Sequence, residues 1–125
     1  MSNRENAVRC SIVEEENDKI LGLVSLVSID HLNQSAEFHI MIGDKKNQGK
    51  GIGTFGVNAM LEHAFYNLNL QRIELTVLED NVRARVLYEK AGFVQEGFKR
   101  KSKYKNGKFV NTLLYSILKD EYGSK

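Results

Sequence analysis

The stretch "NQGKGIGTFGVNAM" places Gly49, Gly51 and Gly53 within five positions, between a segment that alternates like a strand and one that reads as a helix. A glycine costs a helix roughly 1 kcal/mol relative to alanine, so three at a helix start require a reason. A strand that runs through glycines into a helix leaves backbone N–H groups without internal partners at the positive end of the helix dipole. Such a loop can cradle a phosphate, with Lys45, Lys46 and Lys50 nearby, because glycine permits positive φ and a close approach of ligand to backbone. The other reading is a turn whose glycines only let the helix pack tightly on a strand.

The loop organises the rest of the chain. Before it, "AEFHIMIG" alternates Phe38, Ile40 and Ile42 against Glu37, His39 and Met41, as a strand with two different faces does. After it, a helix over about residues 51–68 has Ile52, Phe55, Ala59, Phe65 and Leu68 among its apolar positions, and "QRIELTVLE" returns to strand alternation. A strand-helix-strand unit places its two strands side by side and parallel. Upstream, residues 8–15 and 19–29 form a hairpin about Glu16, Asn17 and Asp18. Downstream, Asn81 can cap a helix "VRARVLYEKAG", in which Ala84, Leu87, Tyr88 and Ala91 share a face and Gly92 ends the run. "FVQEGFKRKSKY" and "KFVNTLLYSIL" are joined at Asn106-Gly107, a strong hairpin signal. The order β-β-β-α-β-α-β-β gives an α/β (α+β) fold: a mixed, mostly antiparallel sheet with a central parallel pair, flanked by helices.

The 125 residues fit one domain, 1–125. Apolar content is 42% and no run approaches the roughly eighteen apolar residues of a membrane span. The amino terminus has no apolar stretch of the kind that exports a chain, and the one cysteine, Cys10, has no internal partner, so the expected setting is cytoplasmic. A net charge of +2 gives no reason to expect nucleic-acid or membrane binding. The charge is uneven, however: acids cluster in residues 14–18, and six Lys or Arg fall within residues 99–108. That basic run reads either as a solvated hairpin or as a contact for an anionic ligand. No His, Cys and carboxylate cluster has zinc-ligand spacing.

Neither a P-loop (G-x-x-x-x-G-K-[ST]) nor a G-x-G-x-x-G dinucleotide motif fits "GKGIGT". Glu79, at the end of the following strand, keeps a dinucleotide reading open, against a mixed sheet that disfavours it. "QGKGIG" (residues 48–53) instead matches the Q/R-x-x-G-x-G/A motif of the GCN5-related N-acetyltransferase (GNAT) superfamily. "NVRARVLYEKAGF" resembles its second signature, N-x-x-A-x-x-L-Y-E-K-x-G-F. Order and spacing both agree, and the likeness covers residues 8–120. It is greatest to the bacterial branch with ribosomal-protein alanine, spermidine and amino-sugar acetyltransferases.

The resemblance implies a GNAT-like acyl-CoA N-acyltransferase fold, with the central parallel strands splayed to admit acetyl-CoA. The pyrophosphate would lie on the loop formed by Gln48, Gly49, Lys50, Gly51, Ile52, Gly53 and Thr54. Pantetheine would pair with the backbone of Ile40, Met41 and Ile42, and Asn81 and Arg85 would complete the cofactor contacts. Tyr88 matches the tyrosine that protonates the departing thiolate, a task a phenol of pKa about 10 can perform. For the base that frees the acceptor amine, Glu37 is the first candidate, with Glu74 and His39 behind it. The implied reaction is acetyl transfer to a primary amine of a polyamine, an amino sugar or a protein amino terminus. The rival class is a non-catalytic acyl-CoA-binding or regulatory module.

Two departures from the family pattern carry expectations. The chain opens at what corresponds to the family's second strand, without the usual first strand and helices of the acceptor wall, so a homodimer or higher oligomer is expected. Spermidine acetyltransferases of this branch carry acids near the position of Ser28, where this chain retains only Asp30, and the basic hairpin would repel a polyamine. That hairpin suits a phosphate-bearing acceptor instead.

Overall fold

The computed structural model describes residues 6–14, 16–43 and 51–123. Six strands form one sheet in the order β1-β2-β3-β4-β6-β5: β1 Val8–Val13, β2 Ile20–Asp30, β3 Ser35–Ile42, β4 Arg72–Leu78, β5 Val94–Lys105 and β6 Lys108–Leu118. Only β3 and β4 are parallel; every other pair is antiparallel. The helices are α1 Ile52–Glu62, α2 Val82–Ala91 and the short α3 Lys119–Gly123. The expected order is therefore the one observed, with α3 added. Its start is tied by the Leu118 N–H donating to Glu121 Oε1 at 2.9 Å, one half of a capping box. Among the described residues no helix is long and apolar enough to cross a membrane.

The expected helix over 51–68 changes character partway. After Glu62 the backbone widens into a π-helical turn, His63–Asn67, in which Leu68 N–H bonds the His63 carbonyl and Asn67 Nδ2 lies 2.9 Å from His63 Nδ1. Of its apolar positions, Phe55 and Ala59 point to solvent, while Gly56, Val57, Met60, Leu61, Ala64 and Phe65 face the sheet. Gly56 explains the choice. A Cβ there would fall 2.8 Å from Ile12 Cδ1 and 3.0 Å from Val24 Cγ1, so only glycine lets α1 settle this close to β1 and β2.

One face of the sheet carries the core. Ile12, Val24, Leu26 and Phe38 from β1–β3 and Ile73, Leu75, Val77, Tyr115 and Ile117 from β4 and β6 join the inner faces of α1 and α2. Tyr115, with no exposed surface, reaches from β6 to α2. Its hydroxyl donates to Glu89 Oε2 at 2.7 Å and accepts from Arg85 Nε at 3.3 Å, while Arg85 Nη1 reaches the Glu79 carbonyl at 3.0 Å. Two successive turns of α2 are thus fixed to the sheet beneath. Tyr115→Phe is expected to cost about 1.5–3 kcal/mol, the range for hydrogen bonds to charged groups. A lowered urea midpoint at unchanged m-value would show it.

Candidate functional site

The parallel strands meet only briefly. Ser35, Ala36 and Glu37 pair with Arg72, Ile73 and Glu74, and the register then stops, although β3 continues to Ile42 and β4 to Leu78. Beyond Glu37 the strands part. Phe38, Ile40, Met41 and Ile42 remain paired with β2 on one side and, among the described residues, have no strand beside them on the other. An open, buried-side edge of this kind is a template on which an extended molecule can add as a further strand. Ile40, Met41 and Ile42 thus lie on a slot.

At the mouth of the slot α1 begins at Gly51, whose φ of +80° is left-handed and favours glycine. The amides of Ile52, Gly53 and Thr54 are in the first turn, where no intrahelical acceptor exists. Gly53 has a packing reason of its own: a Cβ there would lie 3.1 Å from Leu87 Cδ2 on α2. Two of the three loop glycines therefore answer to local structure, one to backbone conformation and one to helix contact. Gln48, Gly49 and Lys50, with Lys45 and Lys46, lie outside the described residues.

The second helix also starts at this end. Asn81 Oδ1 accepts from Ala84 N–H at 3.2 Å, the cap its sequence position predicts, and Gly92 closes α2 in the left-handed region. Tyr88, one turn further in, is 8% exposed and lies edge-on to Phe38 (centroids 6.4 Å, 85°) and Phe93 (5.8 Å, 64°). Burial raises its pKa above the ordinary 10.0, so the phenol holds its proton at neutral pH. Arg85 is engaged with Tyr115 and Glu79, a structural duty the sequence did not disclose.

The other candidates lie on the opposite face. Glu37 Oε2 is 2.8 Å from His39 Nε2, and in the parallel register Glu37 stands beside Glu74. Arg72 holds Glu74 through Nε (3.2 Å) and Nη2 (2.9 Å), and also reaches Glu96 Oε1 at 2.8 Å. That contact with Arg72 holds the Glu96 carboxyl below its usual range, and in turn raises the Arg72 guanidinium. Sequence reasoning missed this Arg72–Glu96 link, because the partners are 24 residues apart and only the β4-β6-β5 order brings them together. Tyr88 and Glu37 thus flank the opening of the slot from opposite faces of the sheet. Asp30 is spent locally, accepting from the backbone N–H groups of Leu32 and Asn33 in the β2–β3 turn.

The sequence profile of the acetyltransferase (GNAT) domain matches residues 1–94. The spermidine N(1)-acetyltransferase of Vibrio cholerae is 37% identical over 118 residues, which is 94% of this chain and 68% of that protein. Among solved structures, spermidine N-acetyltransferase from Vibrio cholerae in complex with CoA and spermine superposes with a TM-score of 0.88 at 34% identity, over 94% of this chain and 68% of that one. The dodecameric form of the same enzyme gives 0.90 at 34% identity, over 95% and 68%. The split parallel pair, the glycine-opened helix, the profile match and these likenesses together place the chain in the GNAT acetyltransferase family.

Proposed function

We propose that residues 1–125 act as one N-acetyltransferase domain, in a cytoplasmic setting, moving the acetyl group of acetyl-CoA to a primary amine of a polyamine. The observation that carries this reading is the three-pair limit of the β3–β4 ladder, which opens a slot with a protonated phenol on one face and carboxylates on the other. Pantetheine adds along Ile40, Met41 and Ile42, and the phosphates meet the first-turn amides of α1, those of Ile52, Gly53 and Thr54. In this reading Asn81, the N-cap of α2, also hydrogen-bonds the pantetheine. Glu37, steadied by His39, takes the proton of the incoming ammonium directly or through water. The amine attacks the thioester carbonyl, the carbon–sulfur bond breaks, and Tyr88 gives its proton to the departing sulfur.

The polyamine reading has its own support. Glu37, Glu74 and Glu96 gather on the open face beside the slot, and Arg72 is the cation hydrogen-bonded among them. A polycation finds several carboxylates there, Glu96 at the root of the basic hairpin and Glu37 and Glu74 beside the slot. The same open face exposes Leu23 and Met41, which supports assembly into a homodimer or larger oligomer.

Thiol release from acetyl-CoA across spermidine, spermine, an amino sugar and a peptide amino terminus tests the reading. Spermidine and spermine are expected to give the highest kcat/KM. Tight CoA binding with no thiol release for any amine would leave the acyl-CoA-binding module as the function. The cradle has a separate test. A Cβ at Gly51 meets nothing within 4 Å, so Gly51→Val adds left-handed strain of about 1–2 kcal/mol without a steric clash in the fold. It should also weaken CoA binding by about tenfold, or 1.4 kcal/mol, by calorimetry. Unchanged affinity in a folded Gly51→Val protein would remove the phosphates from this loop.

A further inference from the structure

The β5–β6 hairpin has a feature that the fold does not use. Its strands run past the end of β4, whose last partner on β6 is Thr112, so residues 99–110 form a projecting arm rooted at Asn111, which is bonded to Glu79. Six cations line it, Lys99, Arg100, Lys101, Lys103, Lys105 and Lys108, all exposed, and no acid occurs in the sequence between Glu96 and Asp120. Among the described residues none of the six makes an ion pair. The arm is nonetheless well held. At its base Lys101 N–H donates to Asn111 Oδ1 at 2.8 Å and Ser102 Oγ lies 2.6 Å from Thr112 Oγ1; near its tip Tyr104 and Phe109 pack edge to face at 5.1 Å. Like charges held together repel one another, so an ordered arm of six without an internal counter-charge is built to meet an external anion.

The registers show where that anion arrives. β3 and β4 both point their carboxyl ends toward the end of the sheet from which the arm projects, because Leu78 pairs with Thr112 and the chain of β6 continues outward to Lys108. Both helix N-termini, at Gly51 and Asn81, open at that same end. The base of the arm stands one to two strand spacings of about 4.8 Å from the slot. That is comparable with the Debye length of about 8 Å at physiological salt. At the far edge of the same end the β1–β2 turn carries Glu14, Glu16 and Asp18. The rim of the slot is therefore positive on one side and negative on the other.

We propose that the β5–β6 arm is an electrostatic collector for acetyl-CoA, acting on its phosphates and delivering them to the α1 N-terminus from the β5 side. The inference rests on the acetyl-CoA reading above. It assigns Lys103, Lys105 and Lys108 a part in cofactor capture, separate from the carboxylates that receive the acceptor. Charge of this kind acts on the rate of encounter more than on the lifetime of the complex.

The test is stopped-flow association of a fluorescent CoA analogue, from low salt to 1 M, with wild type, the triple variant Lys103→Gln, Lys105→Gln, Lys108→Gln, and the charge-keeping triple Lys→Arg variant. The glutamine variant is expected to associate about tenfold more slowly at low salt, within the range known for steering. Its dissociation rate should be unchanged, and all three proteins should converge at 1 M. The arginine variant should match wild type. Equal on-rates for the glutamine variant and wild type at low salt overturn the proposal, as does equal slowing in the arginine variant. A raised KM for an anionic acceptor with unaltered CoA association also overturns it. Wild type that fails to bind CoA at any salt is a different result: it removes the acetyl-CoA reading itself.

Discussion

Replacing Tyr88 by phenylalanine is expected to lower kcat by about 10²–10⁴, the contribution of a positioned general acid, while acetyl-CoA still binds. The substitution keeps the ring that meets Phe38 and Phe93 and removes only the oxygen, so the fold and the KM for acetyl-CoA should change little. The pH profile gives a second signature. Burial raises the Tyr88 pKa above that of a free phenol, so the acid form persists throughout the neutral range, and the loss of rate from its ionisation should appear at higher pH than a free phenol would give. In Tyr88→Phe that alkaline limb should be absent. A stable Tyr88→Phe protein with near-normal turnover would leave Tyr88 as a packing residue and no more.

Phe38→Ala should be the most damaging single change to the fold. Phe38 is 2% exposed, touches both Tyr88 and Phe93, and is the first residue of β3 beyond the paired segment. Large-to-small truncation at such a site costs about 3–5 kcal/mol, a large part of the roughly 5–15 kcal/mol that holds a domain together. Chemical denaturation of Phe38→Ala and Phe38→Leu should show a severe loss in the first and a loss below about 1.5–2 kcal/mol in the second. Phe38→Leu should also slow turnover more than it destabilises, because a smaller side chain leaves Tyr88 free to tilt. Equal stability of Phe38→Ala and wild type would mean that the aromatic trio is not part of the core.

Much of this was legible in the sequence, and the exceptions share a cause. The order of elements along the chain came from alternation, and the parallel third and fourth strands from the rule that a strand-helix-strand unit is parallel. The α2 cap at Asn81 and its stop at Gly92 came from residue chemistry alone. What local pattern could not give was contact at long range. The helix face of α1 depends on Gly56 meeting Ile12 and Val24, which belong to a different hairpin, and a broadly apolar helix pattern does not disclose that Phe55 lies outward. The π-helical turn depends on the hydrogen bond of Leu68 N–H to His63 five residues back, an option that helical periodicity does not distinguish. At the candidate site, the motifs pointed to Tyr88 and Asn81 but were silent on Tyr115 and Arg72, whose partners lie across the sheet. The glycine loop was read for one purpose and, at Gly53, answers to another: the side chain of Leu87.

The opposed placement of Tyr88 and Glu37 has a consequence for how such a protein can change over generations. The aromatic trio, the Tyr115 tie and the Gly56 approach lie on the helix side of the sheet. Glu37, Glu74, Arg72 and Glu96 lie on the other side and are not among the buried core residues. On the proposed reading, substitutions there would exchange one amine for another while the helix-side core stays as it is. Acceptor preference would then be open to drift on one surface, with the acyl-donor chemistry inherited on the other.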